Sequence, residues 1–200
     1  MQEISSIDVE MKILVFDNYD SFTYNLVHII RELGYGDKID IVRNDKIELD
    51  AVGAYDKILL SPGPGVPKDA GIMEQLIGAY GSTKSILGVC LGHQGIAEVF
   101  DAELYNMPVV LHGVTTVARI LAADDFVFEG MPEVFNVCRY HSWAVVPETV
   151  NRDLEITAVD DEGVVMALRH RKYDVRGLQF HPEAYLTEHG KRMMENWLKH

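Results

Sequence analysis

The chain is short of positive charge. Across 200 residues it carries 18 lysines and arginines against 31 aspartates and glutamates, a formal charge of -13. Such a surface repels phosphate backbones and anionic headgroups, so neither nucleic acid nor a membrane surface is an expected partner. Cysteine is scarce as well. Cys90 and Cys138 are the only two. With no CxxC pair and no dense framework, they fit a reducing, cytoplasmic compartment better than a disulfide-stapled secreted one. No apolar run reaches membrane-spanning length. The opening MQEISSIDVEM lacks both the basic and the apolar region of a signal peptide. The eight histidines show no HxxxH or HExxH spacing, so no metal is expected.

What is present suffices for a sizeable core, since 48% of the residues are hydrophobic. The periodic pattern begins at Lys12, so residues 1–11 are expected to be an extension and residues 12–200 a single domain. Residues 12–17 (KILVFD) read as a buried strand of a parallel sheet. A helix should follow, capped by Ser21, with Phe22, Leu26, Ile29, Ile30 and Leu33 at helical spacing and Gly34 closing it. Residues 39–43 and 57–61 read as further strands, so strands and helices alternate as in a wound α/β sheet, where ligands gather at the carboxyl ends of strands. Asp17 and Asp20 are expected to be turn and cap residues. A magnesium or phosphoacceptor pocket is the alternative, but no matching lysine or third acid accompanies them. Past residue 104, runs at 114–121, 136–139, 154–159 and 164–169 should complete a mixed sheet and a small antiparallel lobe. The tail, residues 187–198, has Met193, Met194 and Trp197 at helical spacing and reads as a packing helix.

Residues 85–100 (SILGVCLGHQGIAEVF) hold the chemistry. The spacing Gly88-x-Cys90-x-Gly92 has the form of a nucleophile elbow, in which a strand turns sharply into a helix and presents a reactive side chain. Glycines allow that turn through positive φ and close approach. A thiol there also sits at a helix N-terminus, which favours the thiolate. A buried structural cysteine is the alternative reading. Residues 177–183 (GLQFHPE) supply what a nucleophile needs. Pro182 disfavours a helical conformation at His181, so His181 should be extended at a strand's end, with Glu183 on the same side two residues on. Together these make a triad, with Cys90 attacking, His181 moving the proton and Glu183 fixing the tautomer. Ser61-Pro62-Gly63-Pro64-Gly65 is too rigid for a linker and lacks the lysine of a phosphate loop, so it offers the backbone N–H groups of Gly63 and Gly65. Gln94 presents a donor and an acceptor in the first turn of the helix. The adjacent His93 reads as structural.

GVCLGHQ, the distal HPE and SPGPG together resemble a class I glutamine amidotransferase. DNYDSFTYNL at residues 17–26, RYHS at 139–142 and MALRH at 166–170 narrow the likeness to the glutaminase subunit, component II, of anthranilate synthase or para-aminobenzoate (aminodeoxychorismate) synthase. The resemblance runs over nearly the whole chain. It implies the class I amidotransferase fold, an open, mostly parallel mixed sheet flanked by helices. It also implies an oxyanion hole from Gly63 and the amide of Leu91, and contacts to substrate L-glutamine from Gly63, Gly65, Gln94, Ser142 and Trp143. No cofactor is implied. The implied partner is a chorismate-using synthase, component I, in a heterodimer or heterotetramer.

Two stretches depart from the family's wording. HPEA at residues 181–184 stands where HPES is common, and HGV at 112–114 where HGK is common. Neither touches the triad. Two other readings stay open on sequence: a stand-alone thiol hydrolase on a related fold, and a non-catalytic regulatory subunit.

Overall fold

The computed structural model describes residues 11–150 and 152–200. The expected extension, residues 1–10, lies outside them. In chain order the elements are β1 (Ile13–Asp17), α1 (Thr23–Glu32), β2 (Ile39–Arg43), α2 (Leu49–Val52), β3 (Lys57–Leu60), α3 (Met73–Tyr80), β4 (Ser85–Val89) and α4 (Leu91–Val99). There follow β5 (Leu104–Asn106), β6 (Val114–Ile120), β7 (Val134–Arg139), β8 (Trp143–Val145), β9 (Leu154–Val159), β10 (Val165–His170), β11 (Val175–Leu178) and α5 (Gly190–Lys199).

Nine strands form one sheet in the order β2-β1-β3-β4-β11-β10-β9-β6-β7, and β5 pairs with β8 in a small antiparallel sheet. The mixed sheet and the minor lobe are as expected from the sequence. From β2 to β11 the neighbours are parallel, and from β11 to β7 they are antiparallel. Burial explains the apolar runs. Every residue of β1 and of β3 is buried, because helices cover both faces of the parallel half. One core cluster joins Val15, Leu59 and Leu87 to Leu26, Ile30 and Trp197, and the other joins Phe16, Leu60 and Ile86 to Leu76 and Ile96. The C-terminal helix packs as its spacing implies, burying Met193, Met194, Trp197 and Leu198.

Ser21 does not cap α1. The cap position falls on Phe22 without a side-chain bond, and Asp20 takes over one residue earlier by accepting from the Phe22 N–H at 2.7 Å. An aspartate can reach two residues forward in this way, as an Asx-turn. Asp17 is spent on the same turn, accepting from the Tyr19 N–H and the Thr23 hydroxyl, both at 3.0 Å. The carboxylates after β1 therefore shape a turn. At the other end, Lys57 is buried and donates to the Trp197 carbonyl at 3.0 Å, and burial pushes its amine down.

The carboxyl ends of β1, β3, β4 and β11 lie side by side in the parallel half. Ser61, Cys90 and Gln179 each follow one of these strands directly.

Candidate active site

Cys90 occupies the hinge between β4 and α4 with φ 52° and ψ -98°. Its N–H donates to the Leu178 carbonyl at 2.8 Å, and its carbonyl accepts from the Gln94 N–H at 3.0 Å. One bond ties the elbow to β11 and the other starts the helix. The positive φ thus falls on the cysteine itself, where a non-glycine residue is strained. The flanking glycines act through clearance alone. A Cβ on Gly92 would lie 2.7 Å from the Leu60 carbonyl oxygen, and one on Gly88 would overlap the backbone of Gly92.

His181 and Glu183 meet by a different route from the extended strand expected. The strand β11 stops at Leu178, and residues 181–184 form a turn closed by the Ala184 N–H on the His181 carbonyl at 3.1 Å. Pro182 takes the second position of that turn, where its fixed φ fits. The turn folds Glu183 back onto the ring, with Oε1 2.7 Å from Nδ1. The Thr187 hydroxyl donates to the His181 carbonyl at 2.7 Å. Ala184 therefore leaves the loop supported despite its missing hydroxyl. His181 Nε2 has no hydrogen-bond partner. Burial works against a charged imidazole here, but the neighbouring Cys90 sulfur and the Glu183 carboxylate outweigh it and carry His181 up to about 10.

A cavity of about 160 Å³ opens above the elbow, lined by Gly63, Pro64, Gly65, Cys90, Gln94, Tyr140, His141, Ser142 and Trp143. Two segments far apart in sequence, residues 63–65 and 140–143, thus meet over the cysteine. Gly63 has no room for a side chain, since a Cβ would sit 2.6 Å from Asn18 Cβ and 2.7 Å from Leu91 Cδ2. Among the described residues, the amides of Gly63, Gly65 and Leu91 donate no hydrogen bond. Unspent N–H groups beside a buried thiol are what a developing oxyanion requires.

The Glutamine amidotransferase class-I family model matches residues 14–200. The chain belongs to that family. It is 40% identical over 188 residues to a putative anthranilate synthase component II of Haemophilus influenzae, covering 94% of this chain and 96% of that one. It is 41% identical over 189 residues to the aminodeoxychorismate/anthranilate synthase component 2 of Bacillus subtilis, with 94% and 95% covered. A solved structure of a putative GMP synthase protein from Thermoplasma acidophilum superposes with a TM-score of 0.83 at 26% identity, covering 95% of this chain and 93% of that one.

Within this amidotransferase, Gln179 gave no sequence signal of its own, and Arg139 and His141 gave none beyond the RYHS motif. Gln179 places its amide nitrogen 3.8 Å from the Cys90 sulfur and accepts from Gln94 Nε2 at 3.3 Å. Gln94 Nε2 also donates to the Trp143 carbonyl at 3.0 Å, so its donor holds the cavity wall and its oxygen remains for a ligand. His141 braces the same carbonyl through Nδ1 at 2.7 Å. Behind it Arg139 Nε donates to His141 Nε2 at 3.0 Å, and Arg139 Nη1 pairs with Asp160 at 2.6 Å. Burial and the adjacent Arg139 cation push His141 down to about 3, so the ring is neutral and Nδ1 carries its proton. The RYHS motif was the one pointer to this chain of bonds. His93 is fully buried with its ring packed against the Gly177 backbone, and burial, opposed by that contact, pushes it down to about 4, as suits a packing residue.

Proposed function

We propose that this chain is a cytoplasmic glutaminase subunit. In this reading it hydrolyses L-glutamine to glutamate and passes the ammonia to a chorismate-using synthase making anthranilate or aminodeoxychorismate. The observation that carries the reading is the convergence on one small cavity. The strained Cys90 and Gly63 line it, the unspent amide of Gly63 is joined by that of Leu91, which packs against Gly63, and the imidazole of His181, held by a carboxylate, neighbours the Cys90 sulfur.

In this mechanism glutamine enters with its side-chain amide over Cys90 and its α-amino and α-carboxylate groups toward Ser142, Trp143, Gln94 and Gly65. The thiolate attacks the amide carbon, and the Gly63 and Leu91 amides take the charge that develops on oxygen, worth about 3 kcal/mol per donor. Protonated His181 gives its proton to the departing nitrogen as the C–N bond breaks, which leaves a γ-glutamyl thioester on Cys90 and free ammonia. His181 then takes a proton from water. The resulting hydroxide attacks the thioester, glutamate leaves, and the thiolate is restored. Glu183 keeps Nδ1 protonated throughout, so that Nε2 does the proton transfer.

Ammonia released into water would be protonated and lost, so the reading includes a synthase docked on this face. Tyr19 on the turn after β1, Tyr24 in the first turn of α1, and Tyr185 and Leu186 after Glu183 leave large side chains exposed; Tyr185 is 99% exposed. The test is Cys90→Ala in complex with the synthase. Glutamine-dependent synthesis should vanish while ammonia-dependent synthesis persists; loss of both in a folded complex would refute the division of labour.

A further inference from the structure

The motifs at residues 17–26 and 139–142 each send one aromatic ring to the same place. The Phe22 ring lies 5.3 Å from that of His181 with planes at 68°, and the Tyr140 ring lies 5.1 Å away at 69°. Phe22 and Tyr140 are themselves 4.9 Å apart. The three rings form a closed triangle with the imidazole at one corner. Phe22 and Tyr140 are half-buried and His181 is only 2% exposed, so the two rings cover it. The place of Phe22 is also built rather than incidental. Asp20 holds its N–H at 2.7 Å, and Asp17 fastens the residues on either side through Tyr19 and Thr23.

Hydrogen bonds alone leave the imidazole underdetermined. Glu183 anchors Nδ1, while Nε2 carries no bond. The ring turns about its Cβ–Cγ bond, and one hydrogen bond at Nδ1 restrains that rotation only softly, whereas two aromatic rings packed against it at 68° and 69° narrow it further.

We propose that Phe22, together with Tyr140, is a positioning residue that sets the plane of the His181 ring and keeps Nε2 aimed at the sulfur and the departing nitrogen. This rests on the glutaminase reading and adds to it a residue outside the cavity lining. Phe22 isolates the effect, because Tyr140 also lines the cavity. The step it governs is the proton transfer from Nε2 to nitrogen as the C–N bond breaks. An amide leaves only when protonated, but a 4-nitrophenyl ester expels its phenolate with no proton. Loss of aim should therefore slow the amide more than the ester.

The full-length chain, as wild type, Phe22→Leu and Phe22→Tyr, is assayed with L-glutamine and with the γ-(4-nitrophenyl) ester of glutamate. Misaimed groups commonly cost an order of magnitude or more, so Phe22→Leu should lower kcat for glutamine by about 10-fold or more while KM stays within about twofold. The ester burst, which needs no acid, should change by less than about threefold, and Phe22→Tyr should restore glutamine turnover to within about threefold. The ratio of the two rates does not depend on how much protein is folded. An equal loss on both substrates, a loss confined to KM, or no loss on glutamine overturns the assignment. A wild type that neither turns over glutamine nor shows a burst overturns the glutaminase reading and, with it, the role of Phe22.

Discussion

The carboxylate of Glu183 lies 2.7 Å from Nδ1 of His181, and the two side chains are 0% and 2% exposed. In water such a pair would be solvated and mobile; here the carboxylate has one ring to hold and no solvent to compete. Replacing Glu183 by Gln keeps the shape and removes the charge. Turnover of glutamine should fall by about 10²- to 10⁴-fold, the range that general acid–base catalysis contributes. A kcat measurement at saturating glutamine checks it, and a change smaller than threefold would show that the carboxylate only fills space.

The protonation of His181 can be read directly. With Cys90 and Glu183 outweighing burial, the imidazole is carried up to about 10 and stays protonated through neutral pH. Cys90→Ala removes one of the two partners that lift it, so the ring should titrate at lower pH in that variant. An NMR titration of the His181 ring in both proteins gives the comparison, and identical curves would mean that the sulfur has no influence.

Acid should unfold the protein through two other histidines. His93 and His141 are held down to about 4 and about 3, mainly by burial, while an unfolded histidine titrates near 6.5. Because the folded pKa values are depressed, the unfolded state binds more protons between these limits. Stability is therefore present above about pH 6.5 and is lost as the pH falls toward 4 and then 3. His93→Leu replaces the ring with an apolar side chain of similar size that cannot titrate, so it should cost less than about 1.5 kcal/mol at pH 7.5 and flatten the acid slope. Melting temperatures from pH 7.5 to 4 test this; an unchanged slope would contradict it.

The Arg139–Asp160 pair is 2.6 Å long, with side chains 3% and 5% exposed. Cutting one partner strands a buried charge, so Asp160→Ala should destabilise the fold by about 3–5 kcal/mol. Arg139 also braces His141, and His141 braces the Trp143 carbonyl, so the variant should raise KM for glutamine. Denaturant unfolding and steady-state kinetics separate the two effects. A stability loss with KM unchanged would mean the chain of bonds does not reach the cavity.

Much of the candidate site was legible because the residues that form it are locally encoded. The elbow needs Gly88, Cys90 and Gly92 within five residues, and the triad turn needs His181, Pro182 and Glu183 in a row. The geometry behind them was less legible. Glycine's tolerance of positive φ pointed to the flanking residues, yet the strain sits on Cys90 and the glycines make room for Leu60 and for each other. A two-residue period suggested a strand at His181, while a turn that opens three residues beyond β11 makes the same contact. The contacts of Gln179, Phe22 and the Arg139–His141 pair, though Phe22 stood in the helix pattern and RYHS was a motif, were out of reach for a common reason. Each acts across a pairing of segments distant in sequence, such as the His181 N–H on the Cys138 carbonyl at 3.1 Å, and no local pattern records that. Ser21 and Asp20 are both good turn formers, and the sequence does not say that it is Asp20 that accepts from the Phe22 N–H.

The most direct test of the whole account follows the nitrogen. The chain is mixed with each of two chorismate-using synthases, one making anthranilate and one making aminodeoxychorismate, and supplied with chorismate and amide-¹⁵N glutamine. Label in the aminated product of at least one synthase, lost with Cys90→Ala, is the predicted result. Glutamine hydrolysed while no product carries label, with either synthase, would contradict it and leave a stand-alone hydrolase.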